Sequence, residues 1–330
     1  MQLAYFQKEL KLKETFAIAY GSYDKRDALM VQLSHAGKKG YGECVEINYY
    51  GINLAEFEVK LEQIRSKIES HKIAYPTDFY DFLVSLNIPA FLLSALDCAY
   101  WDLFGKLENK NFAELNKLDN SKVAESSYTI SIAPIEEQLK KMEKSDWSRF
   151  KVKCNHLDKK DFEVLANFHR PVALDSNASL KDEDCIWIQE NPLAEKFLYL
   201  EQPLAIGKYH PLKNRGYANW MADEDVQNIT YLETLRPHYS SVNIKLMKCG
   251  GLTPALELIK KSKFLGYKVM LGCMTESSVG ISAGCALGGL LDFADLDGAN
   301  LISNDYAKGS YVDRGKIILS DKPGLGIELV

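Results

Sequence analysis

Short apolar runs that each end in a charged residue recur along the second half of the chain. One example is Val172-Ala173-Leu174, which precedes Asp175, and such runs are typical of buried parallel strands. Two further runs end at Gly272 and Asp295. The pattern predicts a (β/α)8 barrel, in which the carboxyl ends of the strands converge on one face. Five of the charged ends are separated by 22, 26, 22 and 22 residues, about one strand, one helix and two loops: Lys153, Asp175, Glu201, Asp223 and Lys245.

The N-terminal part of the chain shows a different pattern. Residues 1–50 alternate between apolar and polar positions as antiparallel strands do, with a turn at 36–40. Residues 54–72 predict an amphipathic helix, and Pro89 opens a second one at 90–105. We therefore predict an α/β protein, a modified (β/α)8 TIM barrel with an α+β N-terminal capping domain. The predicted parts are the capping domain at 1–115, the barrel at 116–308 and a C-terminal segment at 309–330 that returns to the capping domain.

Composition and charge exclude several classes of protein. The net charge of −5, without a basic block that contains aromatic residues, argues against a nucleic-acid partner. The seven cysteines are scattered and form no CxxC pair, which is typical of a reducing compartment. The first residues contain no long apolar segment, so we expect neither a signal peptide nor a membrane span. We expect a cytoplasmic protein.

Three carboxylates flanked by two lysines would share a pocket at the predicted strand ends. Regular spacing also arises by chance when 26% of residues are charged, but a charge that ends a buried strand needs a partner or a function. Carboxylates gathered in one place repel unless a hard cation such as Mg²⁺ lies between them. Lys151 and Lys153 point to the same side of a strand. Neighbouring ammonium groups and Mg²⁺ lower the pKa of a lysine, which lets it act as a base.

Five short motifs in this order resemble those of the enolase superfamily, muconate-lactonizing-enzyme subgroup. They are Lys151-Val152-Lys153, Asp175-Ser176-Asn177, Glu201-Gln202-Pro203, Asp223-Glu224 and the segment from Asn243 to Gly251. The resemblance implies an enolase-like fold over nearly the whole chain. It also implies that Asp175, Glu201 and Asp223 bind Mg²⁺ and that Lys153 and Lys245 are the acid/base pair, with Lys151 beside them. The implied chemistry is proton abstraction next to a carboxylate, through an enediolate.

Residues near the last two predicted strands indicate which reaction of the superfamily the chain catalyses. Two opposed lysines favour racemisation or epimerisation, although superfamily members with both lysines also eliminate or cycloisomerise. Asp295-Leu296-Asp297-Gly298 resembles the Asp-x-Asp signature of dipeptide epimerases, in which two carboxylates receive the substrate ammonium group. The alternative is an N-cap pair at the following helix. Cys273 and Met274 also resemble this subgroup and are predicted to contact substrate. Glu276 either lines the pocket or lies in an acidic first helix turn.

The predicted specificity segment, near residues 16–26, departs from that of the L-Ala-D/L-Glu epimerases. Those enzymes carry an arginine there for the glutamate side chain, whereas this chain has Tyr20 and Tyr23. Lys25 or Arg26 can still reach into the pocket, although both are expected on the surface. Without a guanidinium group, a glutamate carboxylate would be poorly paired. We therefore predict epimerisation at the C-terminal residue of a small or hydrophobic dipeptide of the Ala-Ala or Ala-Val type.

Several alternatives and weaker positions stay open. The chain can instead be an L-Ala-D/L-Glu epimerase, or a lyase or cycloisomerase such as o-succinylbenzoate synthase or muconate cycloisomerase. A non-catalytic binding protein on the same barrel is a third hypothesis. Asp225 replaces a serine common in the family, and Lys248 is expected to be a surface loop residue. The expected partner is a small dipeptide, with no nucleic acid and no membrane; the resemblance also allows a homo-oligomer and a role in cell-wall or other peptide metabolism.

Overall fold

The N-terminal part of the chain forms a three-stranded antiparallel sheet with helices packed on it. The structure, a computed structural model, describes residues 1–330. The side chain of Asn53 caps the first helix by accepting hydrogen bonds from the main-chain N–H groups of Ala55 and Glu56. The elements are β1 (Gln2–Ile18), β2 (Gly21–His35), β3 (Lys38–Val45), α1 (Leu54–Ser70), α2 (Pro76–Ser85), α3 (Ala90–Glu108) and α4 (Phe112–Asn116).

Helix α3 is buried on almost all sides and joins the two main parts of the molecule. Strand β3 packs directly on it: a Cβ atom at Gly42 would lie 2.0 Å from the carbonyl oxygen of Ala95. The other side of α3 packs against α9 and α10, which are defined below. No helix combines the length and the apolar character that a membrane span requires.

An eight-stranded parallel sheet forms the barrel, which confirms the predicted fold. Its strands neighbour one another in chain order. Main-chain hydrogen bonds from Ser127 to Ala294 (3.0 Å) and from Ala294 to Glu125 (3.3 Å) join the last strand to the first. The elements are β4 (Tyr128–Ile130), α5 (Ile135–Lys144), β5 (Phe150–Lys153), α6 (Lys159–Ala166), β6 (Val172–Asp175), α7 (Asp182–Glu190), β7 (Leu200–Glu201), β8 (Trp220–Ala222), α8 (Leu232–Leu235), β9 (Ser241–Lys245), α9 (Leu246–Cys249), α10 (Leu252–Phe264), β10 (Lys268–Gly272), α11 (Ser278–Cys285), β11 (Phe293–Asp295) and α12 (Gly298–Leu301).

The C-terminal segment consists of short strands that contact the helices of the N-terminal part. The main-chain N–H of Leu325 donates to the buried side chain of Asp102 (2.8 Å), and that of Phe112 donates to the carbonyl of Gly324 (3.1 Å). The predicted domain boundaries at 115 and 308 stay a prediction. The strands of this segment are β12 (Ala307–Lys308), β13 (Tyr311–Asp313), β14 (Lys316–Ile318) and β15 (Glu328–Leu329).

Two local expectations were wrong. The connection between β7 and β8 contains no helix, because Pro203, Gly207, Pro211 and Gly216 interrupt it. The predicted specificity loop near residues 16–26 is the end of the β1–β2 hairpin, in which Ile18 pairs with Gly21. Ala19 and Tyr20 form the turn, and the other residues of that segment have strand geometry.

Candidate active site

The strand register gathers the predicted charged residues at one end of the barrel. Lys153 pairs with Asp175 between β5 and β6, and Asp175 pairs with Glu201 between β6 and β7. On the other side of the barrel, Gly272 lies between Lys245 and Asp295. Side chains at one register level point the same way, and all these charged side chains are buried.

Lys151 is surrounded by carboxylates. Its Nζ donates to Oδ2 of Asp295 and lies 3.6 Å from both Asp175 and Glu201. Burial lowers the pKa of Lys151, but the charges of Asp295, Glu201 and Asp175 outweigh burial and hold the pKa well above its ordinary value. The nearest charged groups of Lys151 are therefore carboxylates, and the lowering of its pKa by a second ammonium group and Mg²⁺ stays a prediction.

Lys153 and Lys245 each pair with a predicted metal ligand. Nζ of Lys153 donates to Oδ2 of Asp175 (2.5 Å) and to Oδ1 of Asn177 (3.0 Å). Nζ of Lys245 donates to Oδ2 of Asp223 (2.8 Å). Burial and the opposing charge of Asp223 act on Lys245 in opposite directions, and the carboxylate wins, so the pKa of Lys245 is raised.

Lys248 also belongs to the site, contrary to the expectation of a surface loop residue. Its Nζ donates to the carbonyl oxygen of Asp223 (2.6 Å) and to Oδ1 of the same residue. Helix α9 begins directly after β9, and one helical turn brings Lys248 back over the strand ends. Burial raises the pKa of Asp223, but Lys245 and Lys248 outweigh it, so that the pKa lies below its ordinary value.

The three predicted metal ligands were tested for their fit to a divalent cation. Nδ2 of Asn243 donates to Oε1 of Glu201 (2.6 Å), but Oε2 is buried without a hydrogen-bond donor. Burial and the charge of Asp175 raise the pKa of Glu201 to about 8. No three ligand side chains already converge on one point, since Asp175 and Asp223 pair with lysines. The nearest cation to Oε2 is Nζ of Lys151, 3.6 Å away. An oxygen without a hydrogen-bond donor and an all-carboxylate set at neighbouring strand ends nevertheless fit a hard cation such as Mg²⁺.

Asp297 accepts hydrogen bonds from the first barrel strand rather than capping a helix. Its carboxylate accepts from the main-chain N–H of Thr129 (2.7 Å) and from Oγ1 of Thr129 (3.2 Å). Although α12 begins at the next residue, the side chain of Asp297 makes no cap hydrogen bond to it. Burial and the charge of Asp295 raise the pKa of Asp297 to about 7. The N-cap alternative is therefore wrong for Asp297.

A cavity of about 50 Å³ lies between the lysines, the two aspartates at the end of the last strand and the β1–β2 hairpin. The predicted metal ligands Asp175, Glu201 and Asp223 do not line it. A larger cavity, of about 90 Å³, touches Lys153 and Glu201 but not Lys245, so the smaller one is the candidate site. Its lining residues include three lysines and two aspartates of the strand ends: Lys151, Lys153, Lys245, Asp295 and Asp297. Four more come from the hairpin or from the predicted substrate site: Tyr23, Arg26, Cys273 and Met274.

Arg26 lines this cavity, whereas it was expected on the surface. Its guanidinium lies 3.8 Å from the ring centre of Tyr23, and its Nη1 donates to the carbonyl of Glu46 (3.0 Å). Its Nε is buried and has no acceptor. The premise that no arginine reaches the pocket was therefore wrong, because β2 turns this side chain inward.

Tyr20 and Glu276 do not line the cavity. Tyr20 is 42% exposed, and its hydroxyl donates to Oε1 of Glu224 (3.2 Å), the residue after Asp223. Glu276 is buried and accepts from the main-chain N–H of Met274 (2.7 Å), and burial raises its pKa to about 8. It precedes the N-cap of α11, Ser277, so it lies neither in the pocket nor in the first turn of that helix.

Sequence reasoning missed Thr129, Asn177, Glu224 and the placement of Arg26 and Lys248. Asn177 donates from Nδ2 to Glu224 (3.2 Å) while its Oδ1 accepts from a catalytic lysine candidate. Asn177 and Glu224 are the last residues of the Asp-x-Asn and Asp-Glu motifs, so the sequence could have identified them as site residues. Thr129 is an ordinary strand residue and carries no such signal.

Comparisons with known proteins show the family to which the chain belongs. The family model described as Enolase C-terminal domain-like matches residues 135–330. An L-Ala-D/L-amino acid epimerase of a Maribacter species is 36% identical, over 100% of this chain and 99% of that protein. An L-Ala-D/L-Glu epimerase of Bacteroides thetaiotaomicron is 32% identical, over 99% of this chain and 88% of that protein.

A solved structure extends the likeness to the whole fold. The dipeptide epimerase of Enterococcus faecalis, complexed with Mg and the dipeptide L-Leu-L-Tyr, has a TM-score of 0.87 and is 25% identical. The match covers 99% of this chain and 98% of that one. The matched family, the full-length relatives and the shared fold point to the same family. The chain therefore belongs to the enolase superfamily and, within it, to the dipeptide epimerases, which are isomerases.

Proposed function

We propose that this protein is a Mg²⁺-dependent dipeptide epimerase that inverts the α-carbon of the C-terminal residue by 1,1-proton transfer. The observation that carries the proposal is that Lys153 and Lys245 line one cavity from opposite sides of the barrel. Lys153 ends β5 and Lys245 ends β9, four strands apart in a barrel of eight. A substrate between them presents one face of its α-carbon to each lysine.

The chain's own residues divide the work of such a reaction. When bound by Asp175, Glu201 and Asp223, Mg²⁺ supplies positive charge for the substrate carboxylate next to the reacting carbon. One lysine then removes the α-proton from its face and the other returns a proton to the opposite face, which inverts the centre. The lysine that removes the proton must be the neutral amine and the lysine that returns one must be the ammonium group, so one of the two ion pairs, with Asp175 or Asp223, would have to give up its proton as well as its partner.

The two aspartates of β11 and its following turn support a substrate with a free ammonium group. Asp295 is already paired with Lys151, whereas Asp297 accepts only from the neutral groups of Thr129. A buried carboxylate without a cationic partner is a favourable site for an ammonium group. The amino terminus of a dipeptide supplies that group, and a succinylated or muconate substrate does not.

The walls of the cavity support a small or apolar side chain at the C-terminal residue. Several apolar side chains line the cavity together with the lysines: Phe16, Ile18, Ile47, Met274 and Leu301. An apolar wall discriminates weakly between side chains of similar size. This agrees with the broad name of the Maribacter relative, L-Ala-D/L-amino acid epimerase.

Arg26 favours a second candidate, epimerisation of a dipeptide with an acidic C-terminal residue. Its buried Nε has no acceptor, and a guanidinium group can bind a carboxylate with two hydrogen bonds. The Bacteroides thetaiotaomicron relative is named L-Ala-D/L-Glu epimerase. Ala-Glu and Ala-Val are therefore the two substrates to compare.

Mass spectrometry in D₂O with L,L, D,L and L,D dipeptide libraries tests both candidates. With Mg²⁺ present, deuterium at the C-terminal α-carbon of Ala-Ala or Ala-Val supports the apolar preference, and stronger incorporation into Ala-Glu supports the acidic one. Removal of Mg²⁺ with EDTA should abolish exchange. Arg26→Met should reduce turnover of Ala-Glu more than that of Ala-Val, while Lys25→Met, whose exposed lysine pairs with Glu9, should change neither.

The competing reactions have their own outcomes. Absence of deuterium incorporation with every dipeptide, together with turnover of an amine-free succinylated or muconate substrate, would favour a lyase or cycloisomerase. In an epimerase, Asp297→Asn should impair only substrates that carry the ammonium group. Absence of any α-proton exchange with Mg²⁺ bound would favour a non-catalytic binding protein.

A further inference from the structure

Gln202 connects two of the predicted metal ligands. It directly follows Glu201 at the end of β7 and is completely buried. Its side-chain oxygen accepts from the main-chain N–H groups of Asp223 (3.0 Å) and Asp225 (3.2 Å). One amide oxygen therefore ties the segment after β8, which carries Asp223, to the residue that follows Glu201.

The orientation of this amide depends on Asp225. Nε2 of Gln202 donates to Oδ2 of Asp225 (3.0 Å) and to the carbonyl of Leu204 (2.8 Å). If the amide were reversed, its NH₂ group would face two N–H donors and its oxygen would face two acceptors. All four hydrogen bonds would become repulsive, so the acceptors on the nitrogen side fix the oxygen toward Asp223.

Asp225 is itself held in place by neutral donors. The hydroxyl of Tyr239 donates to Oδ2 (2.7 Å), and the main-chain N–H of Gly207 donates to Oδ1 (2.8 Å). Asp225 is 4% exposed and Tyr239 is completely buried. The two oxygens of the Asp225 carboxylate therefore bind donors from two different segments of the chain.

We propose that Asp225 is a positioning residue of the metal site, which acts through Gln202 to hold Asp223 at a fixed place relative to Glu201. The proposal rests on the Mg²⁺ dependence of the proposed function. Asp225 donates nothing to the predicted ligand carboxylates and contacts the site only through the main chain and Gln202. Loss of such an outer partner typically weakens metal binding about 10- to 100-fold.

Isothermal titration calorimetry with Mg²⁺ alone, without dipeptide, tests this role. Asp225→Ala should raise the Kd for Mg²⁺ by about 10- to 100-fold, because Gln202 loses the acceptor that fixes its amide. Asp225→Asn and Tyr239→Phe should raise the Kd less, since each keeps part of the network. In kinetic assays, Asp225→Ala should need more Mg²⁺ for half-maximal activity, and kcat should recover at saturating Mg²⁺.

The control is Asp102→Asn, which alters an equally buried carboxylate that accepts main-chain N–H groups far from the site. Its Kd for Mg²⁺ should equal that of the wild type. A folded Asp225→Ala variant with the wild-type Kd overturns the positioning role. If that variant does not fold, wild-type Kd values in both Asp225→Asn and Tyr239→Phe overturn it equally. Wild-type protein that binds no Mg²⁺ overturns the proposed function itself, which separates the two failures.

Discussion

Two sets of buried carboxylates in this molecule have different partners. At the barrel rim, Asp175, Asp223 and Asp295 pair with lysine side chains. At the contact between the N-terminal part and the barrel, Glu43 and Asp97 pair with main-chain N–H and hydroxyl groups. Neither region is uniform, because Asp297 at the rim accepts from Thr129 and Asp102 in the contact region pairs with Lys106. Lysine partners are mobile and can be exchanged for a ligand, whereas main-chain partners are fixed by the fold.

The contact region uses its carboxylates to dock helices. Glu43, on β3, accepts from the N–H of Ser277 (2.9 Å) and its hydroxyl (2.6 Å) at the start of α11. Asp97, on α3, accepts from the N–H of Thr253 (2.9 Å) and its hydroxyl (2.7 Å) in the first turn of α10. Anions are stabilised at helix N-termini. Glu43 and Asp97 therefore stabilise the packing of these helices, whereas the three rim carboxylates pair with the lysines of the candidate active site.

The largest expected effect is at the rim. Lys245→Met should lower epimerisation by at least about 10²- to 10⁴-fold, because no group remains to exchange a proton on that face. Lys153 should still exchange the α-proton of one epimer, which mass spectrometry in D₂O detects. Lys261→Met, at an exposed lysine paired with Glu233, is the matched control. Equal exchange of both epimers by Lys245→Met would contradict the two-base mechanism.

Removal of a carboxylate from the contact region should lower the stability of the protein. Asp97→Ala leaves the N–H and hydroxyl of Thr253 without an acceptor and should lower the free energy of unfolding by about 1–3 kcal/mol. The measurement is chemical denaturation followed by circular dichroism, and kcat of the folded fraction should stay unchanged. Asp313→Ala, at an exposed residue, should leave the midpoint where it is. An unchanged midpoint for Asp97→Ala would show that the contact region does not depend on this cap.

The pH dependence of stability should also come from the contact region. Burial raises the pKa of Asp97 from 3.8 to about 7 and that of Asp102 to about 6. A raised pKa in the folded state contributes stability that is complete below the unfolded value and lost as pH rises through the folded value. From about pH 4 to 7, each group should therefore lower the free energy of unfolding, by about 1.4 kcal/mol for each tenfold difference in proton affinity between the folded and the unfolded chain.

Denaturation curves of the wild type and Asp97→Asn across this range check the sign. The decline with rising pH should be smaller in Asp97→Asn, since the amide does not ionise. Other groups titrate in both proteins and cancel in the difference. A difference that grows in the opposite direction would mean that the bonds from Thr253 outweigh burial.

The smallest effect should come from the solvent-exposed ion pairs. Nζ of Lys261 lies 2.6 Å from Oε1 of Glu233, with side chains 33% and 69% exposed. Exposed pairs are screened by water and contribute little. Lys261→Ala should therefore show the wild-type denaturation midpoint and wild-type turnover. A lower midpoint or a lower turnover in Lys261→Ala would show that an exposed ion pair can matter as much as a buried one.

The barrel and most of the candidate site could be predicted from the sequence. Apolar runs such as that before Asp175 report burial on both faces of a strand, and the charge at the end of each run marks the rim. The helix after Pro89 was also predictable, because its apolar positions are dense. These signals are local, so they survive without knowledge of the neighbouring elements.

Side-chain directions after a strand end could not be predicted. Lys248 follows a helical turn that returns it to Asp223, and Arg26 lies on the face of β2 that points into the cavity. Glu276 turns back to the N–H of Met274. In each case the outcome depends on the strand register and on which acceptor is near, and a single strand or turn does not contain that information.

The sequence by itself determined the order of the barrel strands and the charges at the rim, because burial and spacing are written along the chain, and its motifs resemble those of the family. Only the tertiary structure decided which charges meet. The register aligned Lys153, Asp175 and Glu201, and it brought Lys151 to Asp295, 144 residues away. Electrostatic pairing depends on distances of a few ångströms in space, and such distances between remote residues exist only once the barrel closes.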